Sequence, residues 1–251
     1  PPVPAFRPPT RLPAKPPRCQ LEVQPDDSVY AELPSFERAT AQWYGYSAEH
    51  REAILREVRE HLERCGLLDV VAVDLKHKHF DMSPGQVLLE EQRVEAQESI
   101  MKGAPHEAPM VPYTYKYSRG RWLPYEFVGA HCEAAVAGLE RVRDQPSFIE
   151  EMTKIVQKHE VEDILGFHIL HRRHLDGESH GTIETPGRSE GELLVRPYSA
   201  DLMHESKHTS FQVMWSWPGG GGICFSCWCR HCGAHCVNHR MLRHSWVVSQ
   251  K

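Results

Sequence analysis

The sequence lacks the features of a membrane-spanning, secreted or nucleic-acid-binding protein. No apolar run approaches the roughly 18 residues needed to cross a bilayer. The proline-rich first residues do not show the basic and then apolar pattern of a signal peptide. The net charge is −5, whereas a general nucleic-acid surface is basic. We therefore expect a cytoplasmic protein that binds neither membranes nor nucleic acid.

Cysteine is scarce outside one short segment. Five of the eight cysteines lie between Cys224 and Cys236, and the other three are scattered singly. A secreted disulfide framework would spread its cysteines along the chain to join distant segments. Histidine is frequent, with 17 residues, and several of them lie among these cysteines. The crowding favours metal binding over disulfide bonds.

This C-terminal segment has the residue types and spacings of a zinc site. Thiolate and imidazole are ligands that zinc prefers, and a Cys-x2-Cys pair brings two sulfur atoms onto one ion. The predicted ligands are Cys224, Cys227, Cys229, Cys232, His235, Cys236 and His239. They outnumber the ligands of one tetrahedral ion. We expect either one ion, bound by Cys224, Cys227, Cys236 and His239, or two ions; an iron–sulfur or copper cluster is the alternative.

The chain before this segment repeats one order of helices and strands. Residues 1–30 are proline-rich and predict an extended arm. Residues 31–128 and 129–218 each predict helices followed by two hairpins. Residues 219–251 begin with a glycine linker and contain the metal-binding tail. The sequence thus predicts an α+β fold of two helix–hairpin–hairpin repeats with an antiparallel sheet, followed by a metal-bound C-terminal segment.

Local signals define one helix of the first repeat in detail. Ile54, Val58 and Leu62 recur at helical spacing, Ser47 is suited to be the N-cap, and Gly66 is a suitable stop. A valine-rich stretch follows, which is typical of a strand. The sequence therefore predicts a helix that leads directly into a buried strand.

Each predicted repeat contains a strand that ends in histidines, His77 and His79 in the first repeat and His171 and His174 in the second. Residues two apart on a strand project from one face, which is a common way to present paired imidazoles to a metal. A bulge would give the second pair the same arrangement. If the repeats pack about a twofold axis, the four histidines converge for metal binding or catalysis. Otherwise they are strand ends that face solvent or an anion.

The sequence His79-Phe80-Asp81 also matches the His-x-Asp half of the facial triad that binds iron in oxygenases. The predicted helix–hairpin repeats differ from the double-stranded β-helix of such enzymes. No glutamate follows at the spacing of the cupin signature either. We therefore do not expect an iron oxygenase.

The histidine-ended strands and the Cys/His-rich end together resemble a group of uncharacterised filamentous-fungal proteins over most of residues 47–244. The size and the zinc-like tail are also similar to those of the fungal cyclopenases, zinc-dependent proteins of quinolone alkaloid biosynthesis once called hemocyanin-like. These convert a benzodiazepinedione epoxide to a hydroxyquinolone with loss of methyl isocyanate. The resemblance implies a zinc-dependent lyase or cyclase of fungal secondary metabolism and assigns no site residues. The chain lacks the three-histidine helical pattern of hemocyanins, which argues against dicopper chemistry.

Two functions are consistent with these patterns. In the first, one or two zinc ions serve an enzyme that acts on a small molecule. The zinc keeps an open position that polarises a carbonyl or activates water, and His77, His79, His171 or His174 transfers protons. In the second, the zinc is purely structural and the protein is a binding or regulatory module. An open or a closed metal coordination distinguishes the two.

Overall fold

The computed structural model describes residues 21–175, 182–197, 210–217 and 227–230, and for residues 210 and 227–230 it describes the backbone alone. Within these ranges the chain forms five α-helices and eleven strands, which confirms the predicted α+β class. None of the helices in the described ranges combines the length and the apolar composition needed to span a membrane.

The helices begin and end where the local sequence favours it. They are α1 (Asp27–Ala31), α2 (Phe36–Gly45), α3 (Ala48–Cys65), α4 (Glu133–Arg143) and α5 (Pro146–Lys158). In α3 the side chain of Ser47 accepts a hydrogen bond from the backbone of His50, and Gly66 ends the helix in the left-handed conformation. Ile54, Val58 and Leu62 form its buried face, so the predicted helix is confirmed. The first helix, α1, starts inside residues 1–30, where the sequence predicted an extended arm.

The eleven strands of the described ranges belong to one sheet. They are β1 (Val71–Leu75), β2 (Gln86–Arg93), β3 (Glu98–Pro105), β4 (Met110–Ser118), β5 (Arg121–Gly129), β6 (Leu165–Ile169), β7 (Thr182–Pro186), β8 (Glu192–Pro197), β9 (Ser210–Gln212), β10 (Met214–Trp215) and β11 (Cys227–Arg230). The strand order is β10-β1-β6-β4-β5-β2-β3-β8-β7-β11-β9. Most neighbours are antiparallel, but β2 pairs with β5 and β7 with β11 in parallel. The sheet is therefore mixed, and the prediction of an antiparallel sheet was wrong because these two pairs join strands from distant parts of the chain.

The two ends of this sheet meet. Strands β9 and β10 stand at opposite ends of the strand order, yet only Val213 separates them along the chain. The short strand β10 also contacts β11. The sheet therefore curls round until its ends are adjacent, and one of its faces encloses an interior.

Strand β6 shows how the alternation of side chains separates this interior from the helix-covered face. Phe167 packs against Trp122 on β5 and Phe148 on α5, with ring centroids 5.0 and 5.3 Å away. Its neighbour His168 lies on the other face and lines a cavity in the interior. One face of the sheet thus carries the hydrophobic core, and the other carries buried polar side chains.

Gly166 lies where β6 passes close to β4. A Cβ atom at this position would be 2.2 Å from the backbone oxygen of Tyr115 and 3.2 Å from Cγ of Lys76. We expect Gly166→Ala to lower the free energy of unfolding by about 1–3 kcal/mol, because the strands must separate to admit the methyl group. Urea unfolding measures this change. Gly45→Ala is the control, since a Cβ there meets nothing within 4 Å, and equal stability of the two variants would contradict the expectation.

Candidate metal centre

Three potential metal ligands meet in the interior of the sheet. His77 and His79 follow β1, and Glu184 lies in the middle of β7. Their ligand atoms all lie within 4.8 Å of one another, and no other group of three such ligands is this compact in the described part of the chain. His77 is 4% and Glu184 6% exposed, and the side chain of His79 is 3% exposed. The curled sheet brings Glu184 to the two histidines, from which it is separated by more than one hundred residues along the chain.

The hydrogen bonds of the two histidines leave one bare nitrogen on each ring. Nδ1 of His77 lies 2.7 Å from the carbonyl oxygen of Leu75, and Nε2 of His79 lies 3.2 Å from Oε1 of Glu126. Since both partners are acceptors, these nitrogens carry the hydrogens, and in the neutral imidazole the other nitrogen of each ring carries a lone pair. A hydrogen bond to the remote nitrogen is how metal-binding histidines are commonly oriented.

The second nitrogen of each histidine ring and one oxygen of Glu184 have no hydrogen-bond partner among the described residues. Among the described residues, Nε2 of His77, Nδ1 of His79 and Oε2 of Glu184 are buried and accept or donate no hydrogen bond. A buried polar atom without a partner is destabilising by about 1–3 kcal/mol. Bound to one metal ion, all three atoms would be satisfied at once.

A small cavity adjoins the three ligands. It measures about 10 Å³, which is about the space of a single water molecule. Its lining residues are Asp74, His77, His79, Tyr125, Glu126, His168, Arg172, Glu184 and Met214. The lining is thus almost entirely polar or charged, although it is enclosed by the sheet.

The carboxyl groups of this cavity differ in charge. Burial, reinforced by the charge of Glu126, raises the pKa of Asp74 to about 8, and Tyr125 donates a hydrogen bond to its Oδ2. Burial acts in the same direction on Glu126, but hydrogen bonds from His79 and Thr114 outweigh it and lower the pKa of that carboxyl. At neutral pH Asp74 is therefore largely neutral, while Glu126 is an anion.

The raised pKa of Asp74 predicts a pH dependence for the metal-free protein. An unfolded aspartate has a pKa of about 3.9. Between about pH 4 and about pH 8 the folded state therefore holds a proton that the unfolded state has lost, and the free energy of unfolding falls as the pH rises. We expect Asp74→Asn to flatten this decline, measured by urea unfolding at several pH values with a chelator present. Asp144→Asn, at an exposed position, should keep the decline; an unchanged decline in Asp74→Asn would contradict the expectation.

A second polar cluster lies beside the first. Nδ1 of His171 is 3.0 Å from the carbonyl oxygen of Ile169, and its Nε2 is 3.2 Å from Oε2 of Glu90. Nε of Arg172 donates to both oxygens of Glu90, at 3.1 and 2.9 Å. Burial would raise the pKa of Glu90, but Arg172 and His171 hold it well below its usual value. Like His77, His171 contacts the carbonyl oxygen of the residue two positions earlier through its Nδ1. Unlike Nε2 of His77, however, Nε2 of His171 is hydrogen-bonded to a carboxylate.

The four histidines predicted from the strand ends therefore fall into separate groups. His77 and His79 form the candidate metal centre, and His171 belongs to the Glu90 cluster. Nε2 of His174 lies 3.0 Å from Oγ of Ser99, and His174 belongs to no compact group of metal ligands among the described residues. The structure thus brings one histidine pair to a candidate metal centre and pairs the others with protein groups.

The other predicted site residues are Asp81 and the ligands of the C-terminal tail, and only some of them lie in the described ranges. Asp81, which completes the His-x-Asp pattern, has a 97% exposed side chain and lies 3.7 Å from the ammonium of Lys78. Cys227 and Cys229 lie on β11, at the register positions of Thr182 and Glu184 on β7. The other predicted tail ligands, Cys224, Cys232, His235, Cys236 and His239, lie outside the described residues.

Sequence reasoning missed Glu184 and Glu126. Both are charged residues within strands, Glu126 on β5 and Glu184 on β7. An acidic residue flanked by β-branched or aromatic residues was the available signal, since a charge in a buried strand needs a partner. No protein-family model, curated protein or solved structure matches this chain.

Proposed function

We propose that this protein is a metal-dependent enzyme that binds one divalent ion, most directly zinc, through Nε2 of His77, Nδ1 of His79 and Oε2 of Glu184. One observation carries the proposal. These three buried atoms, of the types that bind transition metals, have no other partner among the described residues and belong to a group of ligand atoms within 4.8 Å of one another.

The ligand set favours catalysis over a purely structural role. Two imidazoles and one carboxylate form the protein shell of catalytic zinc in several hydrolases and of iron in many oxygenases. Three protein ligands leave at least one position of the ion open, and a cavity with about the space of one water molecule adjoins the three ligands. An ion with an open position polarises a carbonyl or activates water.

A chain of hydrogen bonds begins at Nε2 of His79, the ring nitrogen that is not a proposed metal ligand. Glu126 accepts from His79 through Oε1 and from Thr114 through Oε2, at 3.2 and 2.6 Å. Oγ1 of Thr114 lies 3.1 Å from Nδ1 of His168, which lines the cavity. A carboxylate behind a histidine ligand makes the imidazole more basic and fixes its orientation.

This arrangement predicts that Glu126→Gln weakens metal binding by about 10–100-fold, as is usual for groups that orient a metal ligand. Competition with a coloured chelator measures the affinity. The matched control is Glu91→Gln on the neighbouring strand β2, where the side chain is exposed. Equal affinity in both variants would show that Glu126 does not support the site.

The body of the protein is consistent with a duplicated origin, which belongs to the same proposal. Strands β1 and β6 are antiparallel neighbours, and each is followed by a histidine that bonds to the carbonyl two residues before it. In this view Nε2 of His77, in the first copy, binds the metal ion, whereas Nε2 of His171, in the second copy, pairs with Glu90.

The reaction class follows from the resemblance to the cyclopenases. We place the enzyme among zinc-dependent lyases or cyclases that act on a small molecule in fungal secondary metabolism. Zinc held by the cysteine-rich tail would be an additional ion with a structural role. The open position on the ion at His77, His79 and Glu184 is the feature that this proposal requires.

The relaxation rate of water protons in the cobalt(II)-loaded protein tests for that open position. An ion with an exchangeable water speeds the relaxation of bulk water, whereas a closed shell of protein ligands does not. We expect the enhancement in the wild-type protein and its loss in Glu184→Ala, which removes a ligand. Bound cobalt without any enhancement would favour a purely structural ion and overturn the enzymatic proposal.

A further inference from the structure

His168, on β6, lines the same cavity as the three candidate metal ligands. The residue is buried, and two aromatic neighbours fix the plane of its ring. The ring stacks on that of His171, with centroids 5.5 Å apart, and it meets the ring of Tyr113 edge-on at 4.9 Å. The imidazole therefore has a defined orientation in the wall of the cavity.

The hydrogen bonds around His168 show which of its ring nitrogens carries the hydrogen. Oγ1 of Thr114 donates its hydrogen to Oε2 of Glu126, at 2.6 Å, because the ionised carboxylate can only accept. The same Oγ1 lies 3.1 Å from Nδ1 of His168, and with its own hydrogen committed it accepts from that nitrogen. Nδ1 of His168 is therefore the donor, and in the neutral ring Nε2 carries the lone pair.

The ring of His168 is neutral at neutral pH. Burial, reinforced by Arg172 and His171, lowers its pKa well below the usual value. A neutral imidazole has one acceptor nitrogen, whereas a protonated imidazole has none. Among the described residues no hydrogen bond reaches this acceptor, Nε2. His168 thus contributes an acceptor without a protein partner to the wall of the cavity.

The acceptor atoms around the cavity are too many for one water molecule to satisfy. Nε2 of His77, Nδ1 of His79 and Oε2 of Glu184 receive no hydrogen bond from the described residues. Nε2 of His168 is a fourth such acceptor. A water molecule donates two hydrogen bonds, so one water alone would leave at least two of the four atoms unsatisfied. An ion bound to the first three atoms, with a water on its open position, would satisfy all four.

We propose that His168 accepts, through Nε2, a hydrogen bond from the water on the metal ion and thereby orients this water for reaction. The inference rests on the proposed metal centre and names a residue that contacts the reacting water. It requires space for one water molecule, which is about the size of the cavity. A metal ion lowers the pKa of its bound water, so that water is a strong hydrogen-bond donor.

This assignment closes a circuit of hydrogen bonds around the ion. The bound water donates to His168, His168 donates to Thr114, and Thr114 donates to Glu126. On the other side the ligand His79 donates to the same carboxylate through its Nε2. Both branches therefore end on Glu126, which links the orientation of the water to that of a metal ligand. Hydrogen bonds in such networks strengthen one another.

Nitrogen-15 spectra of the histidine side chains in the full chain, with and without zinc, test the proposal. We expect the hydrogen of His168 on Nδ1 in both states, and we expect zinc to shift its Nε2 resonance because the metal-bound water donates to it. His77 and His79 should shift in the same titration, since they bind the ion. The control is His61, whose Nε2 lies 3.1 Å from the carbonyl oxygen of Phe148, and it should not shift. His168→Gln or His168→Asn identifies the resonances of His168 by their loss.

The same spectra separate the two ways in which the account could fail. A hydrogen on Nε2 of His168 would overturn the role of His168 alone. So would an Nε2 resonance of His168 that zinc leaves unchanged while those of His77 and His79 shift. Unchanged resonances of His77 and His79 in excess zinc would overturn the proposed metal centre itself.

Two substitutions of His168 test the hydrogen bond through the water. The amide of His168→Asn can replace Nδ1 as the donor to Thr114 but has no group at the position of Nε2, whereas His168→Gln can place an acceptor oxygen there. In the cobalt(II)-loaded protein we expect the bound water to exchange about 3–10-fold faster in His168→Asn than in the wild type, as the loss of one hydrogen bond implies. His168→Gln should restore a rate close to that of the wild type. Oxygen-17 relaxation of the solvent measures the exchange, and equal rates in His168→Asn and the wild type would contradict the proposal.

Discussion

His77→Ala will lower the affinity of the interior site for zinc by at least about 100-fold, more than the loss of a supporting group behind a ligand. The substitution removes one of three ligands and leaves the bare nitrogen of His79 and the free oxygen of Glu184 without the geometry to hold an ion. Elemental analysis after dialysis against a weak chelator measures the zinc that remains. We expect one equivalent less per chain than in the wild type.

The control for this result is His174→Gln, which changes another histidine of the predicted strand ends. His174 is bonded to Ser99 and belongs to no compact ligand group among the described residues. It should retain the zinc content of the wild type. Loss of one equivalent in His174→Gln, or none in His77→Ala, would remove the interior site from consideration.

Arg172→Met will lower the free energy of unfolding by about 3–5 kcal/mol, because it leaves the carboxylate of Glu90 buried without its main positive partner. Glu90 and its side-chain partner His171 are both fully buried, so water cannot replace the lost interaction. Urea unfolding of the metal-free protein measures the change without any contribution from the ion.

A double-mutant cycle separates this ion pair from general packing. In Glu90→Gln combined with Arg172→Met the buried charge is gone together with its partner, and we expect part of the lost stability to return. The two residues are in direct contact, so their effects should not add. A double variant whose loss equals the sum of the single losses would contradict a coupled buried pair.

The parts of the fold that local sequence determines were predictable. Ser47, Gly66 and the apolar spacing between them define α3, because caps and helical periodicity act within a few residues. The pairing of His77 with His79 follows from the alternation of side chains along an extended segment, and the rings lie 4.6 Å apart. Features of this kind depend only on residues close together in the sequence, so they can be predicted without the rest of the fold.

The partners of these residues were not predictable, because they come from distant strands. Glu184 reaches His77 only because the sheet curls until its ends meet, which depends on the pairing of all eleven strands. Glu90 is 81 residues from His171, and nothing in either local sequence indicates that they form a pair. Two similar strands suggested a twofold arrangement of four histidines. In the structure, however, Nε2 of His171 pairs with Glu90, whereas Nε2 of His77 has no hydrogen-bond partner among the described residues.

The most direct test of the interior metal centre is the zinc content of a chain that lacks the tail cysteines. Cys224, Cys227, Cys229, Cys232 and Cys236 are replaced by serine, which removes the thiolates of the tail and leaves His77, His79 and Glu184 unchanged. Our account predicts that about one equivalent of zinc remains and that His79→Ala in this background removes it. A tail variant that folds but binds no zinc would contradict it.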